Sequence, residues 1–412
     1  MTTTLDQARA LDAADPLRDF RDRFQLPDGV IYLDGNSLGA LPRTVPGRIA
    51  DVVSREWGQD LIRSWNDNHW MEAPRRIGAK IAGLIGAEPQ EVVVADTASI
   101  NIFKLLSAAL QLRPERSTIL TEAGNFPTDA YMIAGMATAT EGRVTPRLVP
   151  TDQLIDALDE EVAVLLITQT HYKTGHVHDM RAVTQAAHEA GALVIWDLCH
   201  SAGALPVDLD GCRADFAVGC GYKYLNGGPG APSFLYVAER HQNGVMPVLS
   251  GWLGHARPFD FSDTYTPADG IDRFRCSSPG ILGMAALECG IDIALDADMD
   301  AVRAKSVALC ELFIEQVEAK AAGHGFTLAS PREADRRGSQ VSFCHEHGYA
   351  IVQAMIARGV IGDFREPDIL RFGFTPLYVG YEDTWRAADI LADIMDTGAW
   401  KDPRFAVRAA VT

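Results

Sequence analysis

Much that would direct a 412-residue chain towards a membrane, a nucleic acid or a metal is missing from this one. No unbroken apolar run exceeds the six residues Val162–Ile167, far short of the roughly 20 that span a bilayer. No run of five basic residues occurs, and 37 basic against 55 acidic residues give a net charge of −18, which repels a phosphate backbone. The seven cysteines, at 199, 212, 220, 276, 289, 310 and 344, are odd in number and form no C-x-x-C pair. They read as buried, reduced thiols of a cytoplasmic protein. The opening MTTTLDQARALDAADPLRDF is acidic and amphipathic, without the basic and apolar regions of a secretory signal. There is no internal repeat and no low-complexity tract. His171, His176, His178 and Asp179 cluster, but they share no i, i+4 helical face and no second cluster completes a site, so no metal is expected. An α/β-hydrolase is set aside on the expectation that the chain lacks a G-x-S-x-G nucleophile elbow.

What is present is an ordinary globular composition, 47% hydrophobic and 22% charged, in a chain long enough for a large domain and a smaller one. Helices are predicted near the N-terminus, up to about Trp57, and over 73–85. From Glu91 to Val237 strand and helix alternate. Strands are predicted at 92–95, 117–121, 147–149, 163–168, 192–196, 216–219 and 233–237, with helices at 99–112, 151–160 and 180–190. Several of these strands are continuous apolar runs, which require cover on both faces. Seven strands with crossover helices make a mostly parallel sheet and place the chain in the α/β class. Beyond about Gly280 the pattern becomes a long helical region, 281–322, then short strands at 340–344 and 369–374 and helices at 349–358 and 381–395. The predicted organisation is an N-terminal arm with helices over 1–55 that packs with the small domain, a large domain over 56–285, and a small α+β domain over 286–412.

The stretch from Trp196 to Pro229, WDLCHSAGALPVDLDGCRADFAVGCGYKYLNGGP, organises the rest. An apolar strand delivers Asp197 at its carboxyl end, and a second precedes Lys223. Open α/β sheets bind their ligands at that edge. A lysine that becomes neutral to form a Schiff base, with a carboxylate to keep a pyridine nitrogen protonated, is the pair that pyridoxal phosphate chemistry needs. His200 lies near enough in sequence to face the ring or to orient the carboxylate. Alternatively Asp197 caps a turn and Lys223 extends to solvent. Gly219, Gly221, Gly227, Gly228 and Gly230 crowd the lysine loop, a sign of backbone forced close to something bulky.

A phosphate would need a helix N-terminus. Residues 96–101, with Ser99, follow a strand and open a helix, although Thr97 or Ser99 serves equally as a plain N-cap. Residues 275–280 offer a second such start. Phe126 stands in a polar loop where it could stack on a planar ring or cover its own core. Arg371 interrupts an apolar strand, so its guanidinium must find an anion: Glu366, Asp368 or a substrate carboxylate. His345 and His347 are expected to face solvent.

Taken together, YLDGNSLG at 32–39, NFPTD at 125–129, DLCHSAG at 197–203, GYKYLNGGPG at 221–230, FRCSSP at 274–279 and LRFGFTPLY at 370–378 resemble the kynureninase family over nearly the whole chain. The resemblance implies the aspartate-aminotransferase fold, fold type I of the pyridoxal phosphate enzymes, and hydrolysis of kynurenine to anthranilate and alanine. It implies that Lys223 bears the cofactor, that Asp197 pairs with its ring nitrogen and that Phe126 stacks on the ring beside Pro127, Thr128 and Asp129. Ala98, Ser99 and Tyr222 match the phosphate cup, and Thr168 and His200 match further cofactor contacts. Trp252 and Ser278 match positions that reach the phosphate from a neighbouring subunit, which implies a homodimer. Arg371 matches the clamp for the substrate carboxylate, and Asn36, Ser37 and Trp65 match positions near the substrate ring. Tyr222, its phenol pKa lowered beside the phosphate, is the expected proton shuttle. Trp65 is the residue of bacterial members that prefer the unhydroxylated substrate, whereas Ser278 departs from the asparagine or threonine seen elsewhere. An aminotransferase or a cysteine desulfurase on the same fold is the competing reading, since cofactor and fold do not fix the reaction.

Overall fold

Continuous apolar strands find their cover in a seven-stranded sheet with helices on both faces. The computed structural model describes residues 2–408, so Met1 and residues 409–412 of the expected terminal domains lie outside the described residues. The strands are β1 (Val92–Val94), β2 (Thr118–Glu122), β3 (Thr145–Val149), β4 (Val162–Thr168), β5 (Leu193–Asp197), β6 (Phe216–Cys220) and β7 (Ser233–Val237). Their order across the sheet is β1-β7-β6-β5-β4-β2-β3. Only β7 runs antiparallel to its neighbours. Every residue of β4, β5, β6 and β7 is buried, as their unbroken apolar runs require.

The longer helices are α1 (Leu5–Ala14), α2 (Ala73–Ile85), α3 (Ala98–Leu112), α4 (Pro127–Ala139), α5 (Met180–Glu189), α6 (Ile281–Asp296), α7 (Met299–Lys320), α8 (Gly348–Ala357) and α9 (Tyr381–Thr397). Ile77 and Ile81 of α2 and Leu287 and Ile291 of α6 pack with Leu165 and Trp196 on one face of the sheet. Leu105 and Leu106 of α3 pack with Ile119, Ile195 and Val218 on the other.

The second sheet, β8 (Thr327–Leu328), β9 (Gln340–Cys344), β10 (Asp363–Arg365) and β11 (Ile369–Gly373), has the order β8-β9-β11-β10 and is antiparallel. Phe313 of α7 anchors its core, with ring centroids 4.9 to 6.3 Å from Phe343, Phe372 and Phe374. Leu17, Phe24, Ile31 and Leu33 join the same core, and Ile31–Tyr32 pairs with Val360–Ile361. Asp12 in α1 accepts from Tyr381 N at 2.7 Å and Glu382 N at 2.8 Å, so the N-terminal helix caps the last long one. Met284 and Ile291 of α6 belong to the core of the seven-stranded sheet and Ile293 to that of the four-stranded sheet, so a domain limit at 285/286 would cut a continuous helix.

One local expectation is corrected and two are refined. The helix at 151–160 reduces to a single turn, Thr151–Gln153, because Arg147 claims the Ala157 carbonyl (3.2 Å) and the Asp159 carboxylate (2.7 Å). The region 281–322 is two helices, since Asp298 caps α7 by accepting from Asp300 N at 2.9 Å. The glycines of the lysine loop divide: a Cβ on Gly219 would meet the Phe234 ring at 2.3 Å and one on Gly227 the Gly221 carbonyl at 2.7 Å, whereas Gly228 and Gly230 have open space around them and take positive φ, +83° and +72°.

A Cβ on Gly290 of α6 would lie 2.1 Å from the Leu225 carbonyl oxygen, two residues past the lysine. Helix propensity alone would make Gly290→Ala stabilising by about 1 kcal/mol. Overpacking reverses the sign here. The expected result in urea unfolding is a loss of about 1–3 kcal/mol, and a rise in stability would show that α6 does not press on the lysine turn.

Candidate active site

At the carboxyl edge of the large sheet, β1, β2, β4, β5 and β6 each deliver side chains to one cavity of about 240 Å³. Asp197 ends β5, Thr168 ends the neighbouring β4, and Lys223 follows β6 by three residues. Ala98 and Ser99 open α3 after β1, and Phe126, Thr128 and Asp129 come from the loop and helix after β2. The cavity therefore gathers Ala98, Ser99, Phe126, Thr128, Asp129, Thr168, Asp197, His200, Tyr222 and Lys223.

Lys223 is 9% exposed, and its ammonium makes no hydrogen bond or ion pair among the described residues. It lies 5.7 Å from the Phe126 ring centroid and 5.8 Å from that of Tyr222. A buried amine without an acceptor is suited to act as a nucleophile. Asp197 Oδ1 accepts from Cys199 N at 2.7 Å, which fixes the carboxylate. Thr97 caps α3, accepting from Ile100 N at 3.4 Å, and so the plain capping reading holds for that residue. The backbone N–H groups of Ala98 and Ser99 remain without main-chain acceptors, at the positive end of a 15-residue helix.

Under Phe126, Asn125 Nδ2 donates to Asp129 Oδ2 at 3.1 Å, and Thr168 Oγ1 donates to Asn125 Oδ1 at 2.6 Å. Burial, then the Asp197 carboxylate, pushes the Asp129 carboxyl well above its usual range. Thr168 Oγ1 also donates to Asp129 Oδ2, at 3.3 Å, which closes the chain of hydrogen bonds and, with the Asn125 donor, works against that rise. The expectation of a lowered phenol pKa at Tyr222 is corrected. Burial, then the Cys220 and Cys199 thiols and Asp197, raises it, because each disfavours a phenolate.

Beside this cavity Arg371 is 2% exposed in β11. Its partner is Asp363, neither Glu366 nor Asp368, because the hairpin register sets Asp363 opposite Arg371. Nε donates to Oδ1 at 2.8 Å and Nη2 to Oδ2 at 2.5 Å, with Ser37 Oγ at 2.7 Å and the Tyr172 carbonyl at 2.6 Å from the same guanidinium. Burial works to raise the Asp363 pKa, but the charge and hydrogen bonds of Arg371 hold it below the usual carboxylate range. The Asn36 amide completes the cluster, one of its terminal atoms 3.2 Å from Arg371 Nε and 3.4 Å from Gln340 Oε1, the other 3.3 Å from Asp34 Oδ1.

Gly35-Asn36-Ser37-Leu38-Gly39 does spell G-x-S-x-G, contrary to expectation. Ser37 is nonetheless no nucleophile elbow. It donates to Asp363 Oδ2 at 2.7 Å, receives Arg371, and is bonded to no histidine among the described residues.

Several expected residues stand apart from the cavity. Pro127 opens α4 without lining it. Trp65 packs edge-on against Trp70 at 5.8 Å. Trp252 is 40% exposed against Phe259, and Ser278 lines a separate cleft that shares Thr97 and Gly230 with the cavity. Ser278 caps nothing, since α6 starts after Gly280 without a side-chain cap. His345 is buried, bonded to the His324 carbonyl at 2.9 Å, contrary to expectation, while His347 stacks on Trp400. Tyr172, Cys199, Cys220 and Asp363 belong to the site and went unread; the aromatic in the polar run after β4 was the available signal for Tyr172.

Two kinds of relative bear on this arrangement. Among solved structures, the fold matches an apo cysteine desulfurase from Thermococcus onnurineus NA1, with a TM-score of 0.75 and 18% identity over 92% of this chain and 98% of that one. It also matches a mutant of C-DES with glycine covalently linked to the PLP cofactor, with a TM-score of 0.77 and 16% identity over 90% of this chain and 98% of that one. The fold is therefore fold type I of the pyridoxal phosphate enzymes. Kynureninase of Burkholderia mallei (strain SAVP1) is 53% identical over 99% of this chain and all of its own length, and kynureninase of Pseudomonas fluorescens is 51% identical over the whole of both. A family model described as the kynureninase C-terminal domain matches residues 302–391. The chain belongs to the kynureninase family.

Burial and the neighbouring Asp363 carboxylate push the Asp34 carboxyl up to about 7. A raised carboxyl pKa contributes stability that is full below its ordinary value near 3.8 and lost as pH rises through about 7. Asp34→Asn stays neutral throughout. Its unfolding midpoint is therefore expected to gain on the wild type between about pH 4 and pH 7 and to stay level outside that window, as urea titrations at pH 5 and pH 8 would read.

Proposed function

We propose that this chain hydrolyses the Cβ–Cγ bond of L-kynurenine, or of its 3-hydroxy counterpart, to anthranilate or 3-hydroxyanthranilate and L-alanine, as a cytoplasmic enzyme of tryptophan catabolism. The observation that carries the reading is a buried Lys223, unbonded among the described residues, that shares one cavity with Asp197 and Phe126 in a chain of the kynureninase family. The residues fit pyridoxal phosphate. Lys223 would hold its aldehyde, Asp197 its ring nitrogen, and the N–H groups of Ala98 and Ser99 its phosphate. Bound there, the cofactor supplies an electron sink for bonds broken at the substrate's Cα and Cβ.

Each remaining task falls to a side chain. Arg371 binds the α-carboxylate, giving up the Tyr172 carbonyl or Ser37 in exchange. Asn36 and Ser37 border the same end, and Trp65 would meet the substrate's aromatic ring. Lys223 takes the α-proton as base and returns it. Asp197 keeps the ring nitrogen protonated, and His200 and Thr168 fix the ring's edge. Tyr222 stays protonated at neutral pH with its raised pKa, so it acts as a donor, returning a proton to Cβ after water has attacked the γ-carbonyl. One water is consumed, and its oxygen leaves in the anthranilate carboxylate.

The working unit we infer is a homodimer. Trp252, Phe259 and Phe261 are 40%, 63% and 78% exposed in one aromatic run, an apolar surface suited to a second copy. Trp252 and Ser278 would then reach the partner's phosphate. A desulfurase would require a mobile cysteine, whereas Cys344 is held in β9 opposite Ile369 and Thr327.

Purified protein supplied with pyridoxal phosphate and L-kynurenine should release fluorescent anthranilate and L-alanine in equal amounts. Cofactor absorbance without either product would remove the kynurenine reading and leave the cofactor reading standing. In the same assay Lys223→Ala should lose both turnover and the visible cofactor band. Tyr222→Phe should keep the band and lower kcat about 100-fold or more, and an unchanged kcat would assign the proton to another group. Arg371→Lys should raise KM at least about tenfold through loss of the bidentate fork, while an unchanged KM would leave Arg371 as an internal ion pair alone.

A further inference from the structure

Gln340, the first residue of β9, is fully buried, and none of the roles above uses it. Its side chain joins the two halves of the site. Nε2 faces two main-chain carbonyls, Tyr172 O at 3.0 Å and Lys173 O at 3.4 Å. A carbonyl only accepts, so the amide nitrogen must point there and the amide oxygen away. That oxygen lies 3.1 Å from His200 Nδ1. An amide oxygen cannot donate, so Nδ1 must carry the hydrogen. Burial, then the charges of Lys223 and Arg371, holds the His200 imidazole well below its ordinary pKa, so the ring is neutral and has one N–H. Nε2 is then left with a lone pair on a residue that lines the cavity, and it takes no hydrogen bond among the described residues.

We propose that Gln340 is a positioning residue that locks His200 in the Nδ1–H tautomer, making Nε2 an obligate acceptor towards the ligand, and that it ties this state to the carboxylate clamp. The tie is the Tyr172 carbonyl. The oxygen that orients the Gln340 amide is the one to which Arg371 Nη1 donates at 2.6 Å. A carboxylate that takes Arg371 Nη1 relieves that carbonyl of one donor and leaves Gln340 as its partner. His200 therefore accepts from a hydroxyl or water brought by the ligand and never donates to a carbonyl or carboxylate. The tautomer assignment stands on the chain alone; its use during turnover rests on the reaction proposed above.

The test is long-range nitrogen–proton NMR on full-length, histidine-labelled holoenzyme, with the His200 signals assigned by loss in His200→Gln. Wild type should show a neutral ring protonated at Nδ1. Gln340→Glu keeps an acceptor in either protonation state and should preserve that pattern, whereas Gln340→Leu should convert His200 to an Nε2–H form or a mixture. In L-kynurenine turnover Gln340→Leu should lower kcat about 10- to 100-fold with the cofactor band intact, and Gln340→Glu should restore most of the loss. An Nε2–H signal in the wild type overturns the proposal even if Gln340→Leu fails to fold. An unchanged His200 pattern in folded Gln340→Leu overturns it as well. Wild-type holoenzyme that shows Nδ1–H but releases no anthranilate would sink the reaction reading and leave the tautomer lock standing.

Discussion

The turn of backbone from Gly221 to Gly227 is the constraint on which the site depends, because it decides where a lysine amine can be. Main-chain contacts do much of the holding. Gly39 N donates to the Tyr222 carbonyl at 2.8 Å, Gly227 N donates to the Gly221 carbonyl at 2.8 Å, and α6 approaches at Gly290 so closely that no Cβ fits. Contacts of this kind have little freedom to relax, since interiors are packed at crystal density. Lys223 is thereby presented beneath Phe126 with its ammonium unpaired. The N-terminal segment, the large sheet and the following helix must all be folded before the amine is placed.

A second constraint couples the two sheets. The segment from Gln169 to His178 leaves β4, turns over the cavity and meets the smaller sheet through main chain: Tyr172 O receives Arg371 and Gln340, and Lys173 O receives Ser342 at 2.5 Å. The ion pair it covers is fully buried, and such pairs are expensive to desolvate unless every donor and acceptor is met. Here Asp363 is met by Arg371, Arg365 and Ser37. Arg371 is consequently preorganised. A carboxylate arriving there exchanges one hydrogen bond for a stronger charged one, without having to order a free side chain.

Legibility followed range along the chain. Continuous apolar runs gave the strands to within a residue or two, and each chemical group at a strand's carboxyl end could be expected to face a ligand. Asp197, Lys223, Phe126 and Ser99 are such groups, and the cavity unites them. The same reasoning failed where the partner was distant or where a hairpin chose it. Spacing offers Arg371 the carboxylates three and five residues away or one from a substrate, yet within the chain the antiparallel register selects Asp363, eight residues back. His345 looked polar and exposed, but the His324 carbonyl, 21 residues earlier, buries it. Tyr222 was expected to be acidic beside an anion; a buried phenol near thiols and a carboxylate is less acidic, and a phosphate would add to that effect.

The sequence by itself determined the α/β class, the strand positions, the family, and which residues could carry a Schiff base and its partner carboxylate. These rest on periodicity, on local apolar runs and on motifs that are contiguous in the chain. Only the tertiary structure decided the company each group keeps: Gln340 beside His200, Asp363 beneath Arg371, Asp129 in a closed chain with Thr168 and Asn125. Protonation state and tautomer follow from burial and from partners distant in the chain, 140 residues for His200 and Gln340 and more for Asp34 and Asp363, and neither burial nor partnership is a property of a residue in isolation.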